Sequence, residues 1–230
     1  MTSTLQKGFF ITGTDTTIGK TFISRLLADA FSKTAPVTYM KPVQTGCLRD
    51  DSGRLQAPDF EYMVQGRIVQ TAPYETHVPY RFEPACSPHL AARLAEQEIS
   101  MDVIERCFAE VSKNRTILTI VEGAGGVMVP LGPTGYMIDV IAQLGLPAIV
   151  VTTSELGTLN HTLLTIQALR QRSLPLAGVV MNNCRNAAED FIFSGNRAYL
   201  QQAARPAPFC EVPFGSGPCE AIEEFCRELI

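Results

Sequence analysis

Five short runs in this chain are mostly apolar and rich in β-branched or aromatic residues: "GFFITG" (8–13), "VTYMK" (37–41), "TILTIV" (116–121), "PAIVVT" (147–152) and "LAGVVM" (176–181). Near-continuous apolarity over so few residues marks strands covered on both faces. Between the runs, apolar residues recur at helical spacing, as in Phe22, Ile23, Leu26, Leu27, Ala30 and Phe31, and again over 136–144, 158–171 and 188–203. Alternating strands and helices predict an α/β fold with a mostly parallel sheet and helices on both faces. "PFCEVP" (208–213) reads as a late edge strand and 218–229 as a last helix. Segments 87–97 and 100–113 read as helices begun by Ser87 (with Pro88 at the first helical position) and by Ser100. A helix is expected to start near Asp59, after a loop over 47–58. No repeat, biased tract or linker divides the chain, so residues 1–230 read as a single domain, with 46% hydrophobic content to fill its core.

Charge and composition narrow the function. The net charge of −4 argues against a nucleic-acid or anionic-membrane surface, so any anion site must be built from a few local groups. The first apolar run is too short for a secretory signal, and no run approaches the ~20 residues of a membrane span. A soluble, cytoplasmic protein is expected. The seven cysteines are odd in number and contain no Cys-x-x-Cys pair, so they read as free thiols. His77, His89 and His161 are too far apart in sequence to form a recognisable metal-ligand spacing.

In a parallel α/β sheet, ligands sit at the carboxyl ends of the strands. The first such end carries "GTDTTIGKT" (13–21), a phosphate loop with one residue more than the usual Gly-x4-Gly-Lys-[Ser/Thr]. Glycines let backbone amides approach phosphate oxygens, and the following helix adds its positive dipole end. Lys20 supplies a charge to the phosphates, and Thr21 a hydroxyl to magnesium. Lys41 follows the second strand. Most lone lysines are solvated, but this chain has five lysines against fourteen arginines, and two of the five fall in post-strand loops. Glu122 ends the "TILTIV" strand, where a nucleotide enzyme holds magnesium directly or through water, and the glycines after it allow close backbone approach. Asp59 shares its region with Asp50 and Asp51, and its position before a helix is also that of a simple cap. Asn182 follows the "LAGVVM" strand. Its amide suits an adenine edge or a turn equally, and Asn183 competes with it.

Taken together, these segments resemble the dethiobiotin synthetase family, ATP-dependent ligases of biotin synthesis. "FFITGTDTTIGKT" looks like the family's phosphate loop, which has the same extra residue, and "KPVQTG" (41–46) like its Lys-Pro-Val-x-[Ser/Thr]-Gly motif. "PYRFEPACSPHLAA", "VEGAGG", "LGTLNHTLLT", "LAGVVMNN" and "EVPF" are also family-like, in order, across roughly 8–214. The resemblance implies a P-loop fold and a reaction of 7,8-diaminopelargonic acid with CO2 and ATP. In that reaction a carbamate forms, is phosphorylated to a mixed anhydride, and closes to a cyclic urea. It further implies that Gly13, Thr14, Asp15, Thr16, Thr17, Ile18, Gly19, Lys20 and Thr21 bind nucleotide, with Asn182 and backbone near Pro213 at the adenine. Mg2+ is implied at Thr21, Asp59 and Glu122. Lys20, Lys41, Thr16 and Thr45 are expected around the carbamate, with Gly123 also at the substrate. Gly157, Thr158, Leu159 and Asn160 are expected to hold the substrate carboxylate across a homodimer interface, where helix capping by Thr158 is the local alternative. Position 17 departs from the pattern, with Thr where some relatives have Glu. "APDFEYM" matches only at Asp59, and the tail (215–230) carries no motif.

Two other functions share parts of this pattern. P-loop amidoligases of the cobyrinate a,c-diamide synthetase group usually carry an extra domain for which 230 residues leave no room. Partition and septum-placement switch ATPases typically place a second lysine early in the loop, where this chain reads "TGTDTT".

Overall fold

A computed structural model describes residues 8–230. The strands are β1 (Gly8–Gly13), β2 (Val37–Met40), β3 (Val43–Thr45), β4 (Leu48–Arg49), β5 (Leu55–Gln56), β6 (Tyr80–Phe82), β7 (Leu118–Gly126), β8 (Ala148–Thr152), β9 (Leu176–Asn182) and β10 (Phe209–Val212). The helices are α1 (Lys20–Phe31), α2 (Pro58–Val64), α3 (Tyr74–His77), α4 (Pro88–Leu94), α5 (Met101–Val111), α6 (Met137–Leu144), α7 (Thr158–Gln171), α8 (Phe191–Ala204) and α9 (Glu220–Leu229). Six strands form one parallel sheet in the order β10-β9-β8-β1-β7-β2. The chain runs from β1 outward to β2, returns to place β7 between them, and then crosses β1 to build β8, β9 and β10. The strand order therefore reverses at β1, and the crevice opens at its carboxyl end, after Gly13.

The continuous apolarity of the strands follows from a core on each face of this sheet. Phe9, Ile11 and Tyr39 pack with Ile23, Leu27, Phe60 and Phe225 on one side. Phe10, Met40, Val121 and Val150 pack with Ile104, Ile138 and Ile141 on the other. Consecutive residues such as Phe9 and Phe10 point to opposite faces, so both must be apolar. Among the described residues no helix is long and apolar enough to cross a membrane.

The structure differs from the sequence expectation in its short elements. Segment 47–58 is not a plain loop: β4 and β5 pair as a small antiparallel hairpin. The Asp50 carboxylate closes it, accepting from the Ser52 and Arg54 amides (both 2.9 Å) and from Gln56 Nε2 (2.6 Å). β3 and β6 form a second parallel ribbon with Gln44 opposite Arg81. Helix α4 stops at Leu94 rather than 97, and Glu96 turns left-handed at φ 49°. Helix α8 starts at Phe191 rather than 188, because the Asp190 side chain caps it through the Ile192 and Phe193 amides. Ser87 and Ser100 stand at their N-cap positions, but neither hydroxyl makes a capping bond. Strand β7 continues to Gly126 rather than ending at 121.

His77 is fully buried beneath the second strand. Its Nδ1 donates to the Tyr39 carbonyl (2.6 Å), and its Nε2 accepts from the amides of Thr71 (3.2 Å) and Ala72 (3.3 Å). Those partners require the neutral Nδ1–H tautomer. Burial pushes the imidazole below its ordinary value of 6.5, only partly offset by the Tyr39 bond. The folded state therefore binds a proton less readily than the unfolded chain. The associated stability is complete above about pH 6.5 and is lost as pH falls below it. We expect the thermal midpoint to drop on acidification below 6.5, with the His77 ring resonances titrating below that value. Titration of that ring at or above 6.5 contradicts the assignment.

Candidate active site

The loop from Gly13 to Gly19 joins β1 to α1 at the sheet crevice. A side chain at Gly13 would press into Ile18 and the Lys20 stem, at 2.7 and 3.0 Å. Gly19, the N-cap of α1, is left-handed at φ 83°, and a Cβ there would lie 2.3 Å from Asn182 Nδ2. No side chain caps α1, so the first-turn amides and the helix dipole face the crevice. Inside the loop, the Asp15 side chain accepts from the Thr16 amide (2.7 Å), and Lys20 Nζ donates to the Asp15 carbonyl (2.6 Å). Thr17 is left-handed at φ 52°, an unusual conformation for a β-branched residue. Burial, and then the neighbouring Lys41 charge, bring the Lys20 ammonium down to about 8, against the opposing pull of Glu122, Asp59 and Asp15.

Lys41 is not a solvated lysine. It is 3% exposed, and its Nζ lies 2.7 Å from both Asp59 Oδ2 and Glu122 Oε1. Burial would lower its ammonium, but the Glu122 and Asp59 charges and hydrogen bonds raise it above the usual range. Asp59 does not cap its helix: Ala57 is the N-cap, Pro58 follows, and Asp59 in the first turn faces Lys41. Burial works to raise the Asp59 carboxyl, yet the Lys41 charge and its hydrogen bond hold it below normal. Glu122 lies within β7 rather than after it, opposite Ile11. Regular pairing with β1 shifts just beyond this point, between Ile11 and Gly13. Its fully buried carboxylate receives four donors. Thr21 Oγ1 (2.8 Å) and Lys41 Nζ (2.7 Å) reach Oε1, while Ser24 Oγ (2.8 Å) and Tyr39 OH (3.0 Å) reach Oε2.

These groups line one cavity of about 390 Å³, which includes Thr16, Thr17, Gly19, Lys20, Thr21, Lys41, Thr45, Asp59 and Glu122. A second cavity of about 370 Å³ adjoins it, sharing Thr16 and Gly125, with Met128, Val129, His161 and Leu164 on its walls. Gly123 supplies its carbonyl to Lys41 Nζ at 3.3 Å, and a Cβ on it would meet Phe10 at 2.9 Å. Asn182 and Pro213 sit together at the ends of paired strands β9 and β10, behind Gly19. The Asn182 amide donates to the Ile18 carbonyl (2.9 Å) and so also braces the loop. Asn183 is spent on its own turn, exchanging bonds with Ala187 at 3.0 and 2.7 Å. Gly157 is the left-handed N-cap of α7, ahead of Thr158, Leu159 and Asn160. The Thr158 hydroxyl turns inward to the Thr153 carbonyl (2.7 Å) and does not cap the helix. These four residues line neither cavity, although the next turn of α7 lines the second.

Sequence reasoning passed over Ser24, Tyr39, Gln44 and Gly125. A signal existed for two of them. Tyr39 precedes Lys41 by two positions along the strand, and Ser24 follows Thr21 by three on a helix. Both spacings put side chains on a common face.

Comparison with known proteins decides among the readings left open. An AAA domain family model matches residues 7–216. The ATP-dependent dethiobiotin synthetase of Aeromonas salmonicida is 37% identical over 94% of this chain and 95% of its own. That of Clostridium botulinum strain 657 is 37% identical over 98% and 100%. The chain belongs to the ATP-dependent dethiobiotin synthetase family. It is thereby an ATP-dependent ligase built on a P-loop. Among solved structures, the MinD cell division protein of Aquifex aeolicus superposes with a TM-score of 0.60, at 14% identity over 96% of this chain and 95% of that one. At that identity the likeness speaks for the α/β fold alone.

Proposed function

We propose that this enzyme carries out the ATP-dependent carboxylation and ring closure of 7,8-diaminopelargonic acid, giving dethiobiotin, ADP and phosphate in biotin biosynthesis. One amine takes up CO2 as a carbamate. The carbamate oxygen attacks the γ-phosphorus of ATP and releases ADP. The second amine then attacks the carbamic-phosphoric anhydride, closing the cyclic urea and expelling phosphate. The observation that carries this reading is the meeting of Lys20, Lys41, Thr21, Asp59 and Glu122 in one cavity that adjoins a second at Thr16 and Gly125. A carbamate and a triphosphate are both anions, and two lysines beside the phosphate loop offset their repulsion.

The donor set fits magnesium. Thr21, Asp59 and Glu122 offer only oxygen, and Mg2+ favours one or two carboxylates completed by phosphates and water. Among the described residues no group of three or more His, Cys, Asp or Glu gathers to form a softer or all-protein site. When bound, the ion would be held by Thr21, Asp59 and Glu122 and would neutralise charge developing on the phosphates. Thr16, Lys41 and Thr45 orient the carbamate, and Asn182 with the Pro213 backbone flanks the adenine. The start of α7, with its free amides and dipole, suits the substrate carboxylate. Leu156 (87% exposed), Met128 and Leu164 lie near that helix and the second cavity as exposed apolar side chains, which supports a homodimer formed there. A cytoplasmic location accords with this metabolic role.

The test is phosphate release from MgATP with and without bicarbonate and the diamine, with the product identified by mass. Release that requires the diamine and yields the cyclic urea is expected. Nucleotide binding with no response to the diamine overturns the substrate assignment and leaves the P-loop reading standing.

A further inference from the structure

The four donors on Glu122 come in two matched pairs. Helix α1 gives Thr21 to Oε1 and Ser24 to Oε2. The second strand and its extension give Lys41 to Oε1 and Tyr39 to Oε2. A carboxylate has about four acceptor positions, so each oxygen carries a full pair of donors, and the two pairs differ in where they stand. Ser24 and Tyr39 are both fully buried and do not line the cavity. Oε1, by contrast, is shared by the two groups that do line it.

Tyr39 is itself fixed from two sides. His77 Nδ1 holds its backbone carbonyl, its ring lies 6.2 Å from Phe60 in a tilted contact, and Phe60 neighbours Asp59 on α2. The phenol is thus a rigid strut between the core and the carboxylate.

We propose that Ser24 and Tyr39 are positioning residues that lock Glu122 as a one-oxygen ligand, committing Oε2 to the protein and turning Oε1 alone toward the cation. This rests on the reading of the cavity as a magnesium-nucleotide site. Ligand-orienting partners of this kind are worth roughly 10–100-fold in metal affinity when removed. An unlocked Glu122 rotates, and its oxygen is no longer held where Asp59 and Thr21 converge.

The test is a Mn2+ titration followed by electron paramagnetic resonance, with the enzyme saturated with ADP. Tyr39→Phe keeps the ring and removes only the hydroxyl, and Ser24→Ala removes the other donor. Each is expected to weaken Mn2+ binding by about tenfold or more, and the double variant further. ADP affinity measured in EDTA is expected to stay unchanged in both. Lowered thermal midpoints with unchanged Mn2+ affinity overturn the proposal, since a purely structural role gives that result. A wild-type enzyme that binds no Mn2+ in the presence of ADP fails the magnesium reading itself, and the proposal with it.

Discussion

Lys41→Met is expected to fold less stably and to turn over at least ~10²-fold more slowly, the scale for losing one charge-stabilising group beside a reacting anion. The two losses have different origins. Lys41 is 3% exposed and holds two carboxylates at 2.7 Å. Removing one member of a buried ion pair costs about 3–5 kcal/mol because the other charge stays buried. Here the Asp59 side chain keeps 27% of its exposure and partial access to water, so the loss belongs near the lower end. Urea unfolding measures it. Adding Glu122→Gln to Lys41→Met removes the fully buried one of the two stranded carboxylates and is expected to recover much of the stability without recovering turnover. Near-normal turnover in Lys41→Met takes the lysine out of the mechanism. Recovery of both quantities in the double variant makes its role purely structural.

Gly19→Ala is expected to damage both the loop and nucleotide binding. The position is left-handed at φ 83°, which costs a non-glycine residue about 1–2 kcal/mol by itself. The added methyl also lands 2.3 Å from Asn182 Nδ2, forcing apart the amide that braces Ile18. Asn182→Ala in the same chain clears the overlap but leaves the backbone strain. A double-mutant cycle separates the two contributions, with the pair costing less than the sum of the singles. Strict additivity in stability and ATP affinity indicates that the contact with Asn182 carries no energy.

The sheet was legible because its strands are buried on both faces, which leaves an apolar signature that very short strands with polar residues lack. Val43–Thr45 and Tyr80–Phe82 were hidden for that reason: three residues cannot display a period, and each run contains polar side chains. Lys20, Thr21 and Glu122 were legible because glycine-rich loops and a carboxylate in an apolar strand are rare unless a ligand needs them. Asp59 was not. Its neighbours Asp50 and Asp51 share its chemistry, and only the family resemblance singled it out. In three dimensions Asp50 is spent on the hairpin, and Asp59 alone of the three reaches Lys41. The donors on Oε2 escaped notice because a serine in a helix and a tyrosine in a strand read as ordinary packing until the acceptor between them is located.

The excursion from Val43 to Leu94 has one further consequence. It carries Thr45 and Asp59 on a three-residue ribbon, a two-residue hairpin and a seven-residue helix, whereas Thr21 and Glu122 belong to long elements of the main sheet and its first helix. Opening free energy varies across a protein with the contacts each cooperative unit buries. By that measure the two walls differ less than their element lengths suggest: Ala57, Phe60, Met63 and Val78 of the excursion are fully buried in the core that also holds Tyr39, so loosening the Asp59 wall would open that core as well.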